Sequence, residues 1–221
     1  MDWMALRVSL ALAGWTVLWL LPAGLALGRF LARTRLRGRS LIEAAVALPL
    51  VLPPTVLGFY LLQLLGAGSP LNWLMQLLCE GPLAFTFAGL VIASVIVNLP
   101  FAVQPVQRAF EAIAPDIYEA AACCGMRPLV AFLRVELPLA LPGVLTAGIL
   151  TFAHTLGEFG VVLMVGGAIP GETRTIAIAI YDRVQAFDEV AAGRMALLLL
   201  AVSLLTMSLA LLLGRRIDKR Q

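Results

Sequence analysis

Pro115-Asp116-Ile117-Tyr118-Glu119-Ala120-Ala121-Ala122-Cys123-Cys124-Gly125-Met126-Arg127-Pro128, followed shortly by Val135, Leu137 and Pro138, stands between two long apolar runs. Pro115 and Asp116 supply helix-start chemistry, residues 117–124 suit a short helix, and Gly125 is a fitting left-handed stop. A second helix start follows at Pro128. The chain is therefore expected to turn sharply and project a stubby helix between membrane segments. Tyr118, Glu119 and Arg127 can meet a polar cleft there, while Ala120 and Ala121 permit close approach. Such a knob suits firm contact with a soluble partner.

Working outward, the composition places the rest of the chain in a bilayer. Of 221 residues, 61% are hydrophobic and only 13% charged, with a mean hydropathy of +0.96. A hydrocarbon core about 30 Å thick asks for about 20 apolar residues per helix. Residues 8–28, 81–107 and 195–214 carry no charge; 44–79 is also uncharged but broken by Gly66, Gly68, Ser69 and Pro70; and Leu137 to about Val165 is interrupted by His154 and Glu158 alone. Because irregular backbone cannot face lipid, the expectation is an all-α polytopic bundle of five helices in one domain. Its spans fall at about 8–28, 44–65, 83–107, 137–165 and 195–214, and the polar loop at 109–136.

Positive residues near span ends resist translocation. Arg29, Arg33, Arg35, Arg37 and Arg39 follow the first span, Arg108, Arg127 and Arg134 follow the third, and Arg215, Arg216, Lys219 and Arg220 form the tail. These make twelve of the sixteen cations, so the amino terminus is expected outside and the carboxyl terminus in the cytoplasm. Nucleic acid is not an expected partner, since these arginines sit at membrane boundaries without an interleaved aromatic face. The first span is expected to be retained, because the positive cluster follows its apolar run instead of preceding it. Cys79, Cys123 and Cys124 are not spaced as a disulfide framework or a metal cluster. Outside, residues 171–193 mix Ile176, Ile178, Ile180 and Phe187 with acidic groups and predict a short interfacial helix; with residues 66–82, where Trp73 can anchor at the headgroups, it offers a landing platform.

Ionisable groups inside a span are costly, about 2.5–3.5 kcal/mol on insertion scales, and tend to serve function. His154 and Glu158 are four apart, on one helical face, within reach of a mutual hydrogen bond. A carboxylate repels an anion, so Glu158 reads as a gate or inter-helix lock. Oxyanions are better held by neutral donors; Thr55, Asn98, Gln104, Thr151 and Thr155 qualify by chemistry, and each equally suits a polar contact between packed helices. With one histidine, no metal site is expected. An intramembrane hydrolase needs a nucleophile paired with a base or two aspartates at membrane depth; no span carries such aspartates, and only Thr151 and Thr155 neighbour His154. A structural assembly protein would not need the knob. The sole lysine, Lys219, belongs to no phosphate-cradling Gly-x-x-x-x-Gly-Lys sequence, so no ATPase site and no cofactor are expected in this chain.

Glu119-Ala120-Ala121, Gly125, Val135 and Leu137-Pro138 resemble the coupling loop of bacterial ABC-importer permeases of the first type, with Val135 where Ile is usual. The stretch Leu48-Pro49-Leu50-Val51-Leu52-Pro53-Pro54-Thr55-Val56-Leu57-Gly58-Phe59-Tyr60 is similar to the molybdate-transporter branch of that family. So are Gly157-Glu158-Phe159-Gly160, Gly166-Gly167 and Ile169-Pro170-Gly171-Glu172-Thr173-Arg174-Thr175. The resemblance implies an inner-membrane permease for molybdate, or for another oxyanion such as tungstate or sulfate. It implies a second copy of the chain, two cytoplasmic ATPase subunits that bind ATP and magnesium, and an extracytoplasmic binding protein. Residues Tyr118 to Pro138 would then be the coupling contact.

Overall fold

In the computed structural model, residues 2–69 and 81–218 are described; Trp73, Cys79, Lys219 and Arg220 lie outside them. The chain runs through α1 (Trp3–Arg33), α2 (Arg39–Val51), α3 (Pro54–Leu65), α4 (Phe87–Glu111), α5 (Pro115–Cys123) and α6 (Pro128–Ala131). A π-helical turn (Phe132–Glu136) leads into α7 (Leu137–Gly157), followed by α8 (Gly160–Gly166), α9 (Ile176–Gln185) and α10 (Glu189–Asp218). Starts follow local chemistry. The Asp2 carboxylate accepts the Ala5 N–H at 3.0 Å, the Thr86 hydroxyl accepts the Gly89 N–H at 3.1 Å, and prolines open α3, α5 and α6.

Among the described residues, four helices are long and apolar enough to cross a membrane, or five if one bent pair counts as a span. That pair corrects the expectation of a plain helix over 44–65. α2 and α3 meet at 108°. Proline at 53 disfavours helical geometry at Leu52, which is extended, and Pro53 has no N–H to continue the ladder.

The fourth span also differs from 137–165. Helix begins earlier, at Pro128, and runs through the π-turn to Gly157. It stops because Glu158 turns extended and its carboxylate accepts the Val161 N–H at 3.0 Å, starting a separate helix. Val135, Leu137 and Pro138 therefore lie in this helical run, and the loop beside α4 narrows to residues 112–127. The helix expected within 171–193 is α9, whose Ile176, Ile178 and Ala179 are buried.

α4 is the central helix, with α1 and α7 packed along it. Contact is close enough to need bare backbone. A Cβ on Gly24 would stand 2.9 Å from Ala102 Cβ, and one on Gly28 would stand 2.8 Å from Val106 Cγ1 and 3.0 Å from Val103 O. On the other flank, a Cβ on Gly143 would meet Pro105 O at 2.8 Å. In lipid, where apolar surface alone gives little drive for helices to associate, such small-residue contacts hold the bundle. Phe110, Val106, Ala140, Val144 and Ala147 fill one core between these helices, and Leu90, Ala93, Val97, Val161, Val162 and Val165 fill another.

Gly28→Ala should therefore lower stability by about 1–3 kcal/mol through overpacking. Gly14, which has nothing within 4 Å of its would-be Cβ, serves as the control. Thermal unfolding of the solubilised protein should show a lower midpoint for Gly28→Ala and none for Gly14→Ala.

Candidate functional site

α5 and the turn after it form the knob. Gly125 takes φ +68°, its N–H donates to Ala122 O at 2.9 Å, and the Met126 N–H reaches back to Ala121 O at 3.2 Å. These two bonds make a Schellman closure, which satisfies carbonyls the helix end would orphan. Glu119, Ala120, Cys123, Cys124, Gly125 and Arg127 are exposed, while Ala121 is buried on the bundle side. The knob thus presents a short acidic and thiol-bearing face outward, while Ile117 and Tyr118 pack against the core beneath.

Tyr118 points inward. Its ring lies under the Arg33 guanidinium, 4.2 Å from Cζ to centroid, and its hydroxyl donates to Phe110 O at 3.4 Å. Burial, assisted by the nearby Glu136 charge, pushes this phenol above its usual range, so it stays a neutral donor. A cleft of about 180 Å³ opens beside it, lined by Arg29, Arg33, Tyr118, Ala121, Val135 and Glu136 among others. Glu136, only 3% exposed, accepts from Arg29 Nε at 2.7 Å, Arg29 Nη2 at 3.1 Å and Arg33 Nη1 at 2.8 Å.

Arg29, Arg33 and Glu136 were not among the site residues read from sequence. The arginines read as topology charges, and Glu136 occupies a position between Val135 and Leu137 that the motif leaves open. A signal existed: a carboxylate within an apolar run needs cations, and Arg29 and Arg33 share one face at the end of α1. The same end of the bundle gathers Arg39, Glu43, Gln107, Arg108 and Glu111. Gln107 Nε2 donates to Glu43 at 2.6 Å and to Glu111 at 3.0 Å, and Arg39 pairs with both carboxylates. Gln104 lines the cleft beside this cluster.

The remaining polar residues read from sequence divide in space. Asn98 is fully buried, donates to Ser94 O at 2.8 Å, and its Oδ1 lies 3.1 Å from His154 Nδ1. His154 also stacks on Phe101 with centroids 4.2 Å apart. The expected His154–Glu158 hydrogen bond is corrected: Nε2 and Oε2 are 3.9 Å apart, too long for one, because Glu158 has left the helix and turned to Val161. Thr155 donates to Thr151 O at 2.8 Å and neighbours the Thr16–Ser94 hydroxyl pair. The Thr151 hydroxyl is buried with no partner among the described residues.

Two broken helices meet around these groups. A cavity of about 170 Å³ is lined by Pro49, Leu52 and Pro54 at the α2–α3 bend, by Glu158 and Val161 at the α7–α8 break, and by Val97, Phe101 and His154. Gly160 lets α8 approach Pro54, whose Cβ would lie 2.8 Å from a Cβ at that position. Thr55 stands on the same bend but is exposed, and Gln104 is not among the residues lining this cavity. Both breaks border a protein cavity, the setting in which a membrane protein tolerates non-helical backbone.

Residues 21–219 match the family described as binding-protein-dependent transport system inner membrane component. The chain belongs to that family. It is 54% identical over 187 residues, 85% of this chain and 83% of the relative, to the molybdenum transport system permease protein ModB of Azotobacter vinelandii. Against ModB of Haemophilus influenzae it is 34% identical over its whole length and 96% of the relative. The sulfate transport system permease protein CysT of Escherichia coli is 34% identical over 82% of this chain and 65% of the relative. Among solved structures, a bacterial ABC transporter involved in the import of alginate aligns over 97% of this chain and 79% of that one, with TM-score 0.78 at 18% identity. The MetNI methionine transporter aligns over 96% and 94%, with TM-score 0.75 at 18% identity. This membrane component thus has the type I ABC-importer permease fold and resides, as a multi-pass protein, in the bacterial inner membrane.

The knob's turn is directly testable. Gly125→Ala meets no neighbour, so its cost is conformational, about 1–2 kcal/mol for a left-handed alanine. Hydrogen exchange should speed at the amides of residues 124–126 by about tenfold or more while α4 amides keep their protection.

Proposed function

We propose that this chain is the membrane-spanning permease of an ATP-driven oxyanion importer, with molybdate as its cargo. The carrying observation is the knob: a short, capped helix with an exposed face, tied through Tyr118, Arg33 and Glu136 to the long helices. The chain carries no Gly-x-x-x-x-Gly-Lys sequence, which supports force arriving from separate ATPase subunits through this contact. Glu119, Ala120, Gly125 and Arg127 meet those subunits, while Val135, Leu137 and Pro138 form the helical base that carries the displacement inward. The names of the molybdenum permease relatives supply the cargo. The CysT relative favours sulfate as the second reading.

Two copies pair across the membrane, since one bundle of four or five spans is too small to enclose a pathway with alternating gates. The amino terminus lies outside and the knob in the cytoplasm, and a binding protein lands at the α9 end. Substrate crosses between inward- and outward-open states. Near the paired breaks, His154 and the Thr151 hydroxyl, which has no partner among the described residues, suit an oxyanion, whereas Asn98 and Thr155 donate to Ser94 and Thr151; Thr55 borders the bend. Glu158 acts as a gate: its carboxylate holds the start of α8 and repels an anion until the break moves.

In a reconstituted complex with ATPase subunits and binding protein, molybdate should stimulate ATP hydrolysis more than sulfate at equal concentration; stimulation by sulfate alone would assign the other cargo. Glu158→Gln should reduce uptake by about tenfold, the scale of one charge-assisted hydrogen bond worth about 1.5 kcal/mol. Unchanged uptake would remove the gate role.

A further inference from the structure

Helix α1 is fastened at both ends, by different chemistry. At the knob end, Arg29 and Arg33 hold Glu136 with three hydrogen bonds of 2.7, 3.1 and 2.8 Å. The Arg29 guanidinium also lies 4.8 Å from the Phe132 ring centroid, and Arg33 covers Tyr118 at 4.2 Å. Both arginines thus touch two things at once: the carboxylate of the π-turn and an aromatic ring of the same polar segment. At the opposite end, Asp2 lies 3.5 Å from Arg174, and Ser9 Oγ accepts the Ile176 N–H at 2.8 Å. Arg174 in turn holds Asp182 of α9 at 2.8 Å.

A carboxylate exposed by only 3% is tolerable only while its cations stay in place, and removing one partner of such a group is far costlier than stretching an exposed pair. Arg33 joins the two layers, covering Tyr118 of the knob while holding Glu136 of the π-turn, so the clasp ties the base of the knob to α1 by a link that is costly to break. Glu136 also sits in the π-turn, where the helical ladder is locally widened, a departure from α-geometry of the kind found at functional sites. Without the clasp, movement of the knob would be absorbed in that turn.

We propose that the Arg29–Glu136–Arg33 clasp makes α1 a transmission strut, carrying displacement of the knob to the Arg174–α9 segment at the far end of the bundle. Glu136, Arg29 and Arg33 are positioning residues that act through α1. The idea rests on the coupling role given to the knob, and it predicts that the two ends are energetically linked.

The test uses the whole complex in lipid discs, with ATPase subunits and molybdate-loaded binding protein, reading the ratio of stimulated to unstimulated ATP hydrolysis alongside the yield of assembled complex. Glu136→Gln keeps the shape but drops the charge. The expected result is normal assembly with the ratio reduced by about fivefold or more, the range of a lost coupling between sites. Arg33→Gln, at a side chain 42% exposed, leaves the Arg29 pair in place and gives the second reading should Glu136→Gln fail to assemble; it should show the same loss in smaller degree. A wild-type ratio in either assembled variant overturns the strut. Glu119→Arg separates the two layers of the argument: if it loses stimulation while Glu136→Gln keeps it, the knob couples without the strut. If Glu119→Arg itself keeps stimulation, the coupling role falls and the strut falls with it.

Discussion

Backbone-to-backbone approach at α4 is the constraint on which the bundle rests. Gly24 and Gly28 of α1 and Gly143 of α7 leave no room for a Cβ against residues 102–109, so three helices are drawn together where a lipid solvent gives little hydrophobic drive. That closeness sets the register of everything at the knob end. Arg29 and Arg33 lie on the turns next to Gly28, and α7 enters through the π-turn that carries Glu136. The polar clasp is possible because the apolar helices already meet at the right height.

Polar groups elsewhere obey the same economy. Where the backbone leaves helical geometry within the bundle, at Leu52-Pro53 and at Glu158-Phe159, the two breaks share one cavity with His154. The freed Val161 N–H is taken by a carboxylate. Hydroxyls in the interior donate to the helix one turn back, as Thr16 does to Leu12 and Thr155 to Thr151, so little unpaired polarity faces the apolar surroundings. The exceptions among the described residues are the Thr151 and Thr175 hydroxyls and Arg174 Nε.

Much of this was legible in the residues. Charge-free runs located the long helices because lipid demands length and apolarity, and Pro115, Gly125 and Pro128 announced the knob because each fixes backbone geometry locally. The bend at Pro53 was visible as a proline pair, but its 108° size is set by packing of α3 on α8, which no local rule contains. The earlier start of the fourth span is hidden because Arg134 and Glu136 read as loop charges; Glu136 is neutralised by arginines about a hundred positions away, and Arg134 stays exposed. Helical spacing pairs His154 with Glu158, but the helix ends at Gly157, one residue too soon for that geometry to apply. Family membership, shown by the relatives, adds what spacing cannot: the transport class.

The central claim is that α5 is a docking knob for a cytoplasmic ATPase. Cys123 and Cys124 are exposed on it and free, which makes thiol labelling with a membrane-impermeant reagent, in a Cys79→Ser background, the most direct measurement. Labelling should occur in inside-out vesicles of the chain alone, fail in right-side-out vesicles, and be blocked when the ATPase subunits are bound. Labelling from the outer face, or labelling indifferent to the ATPase, would contradict the account.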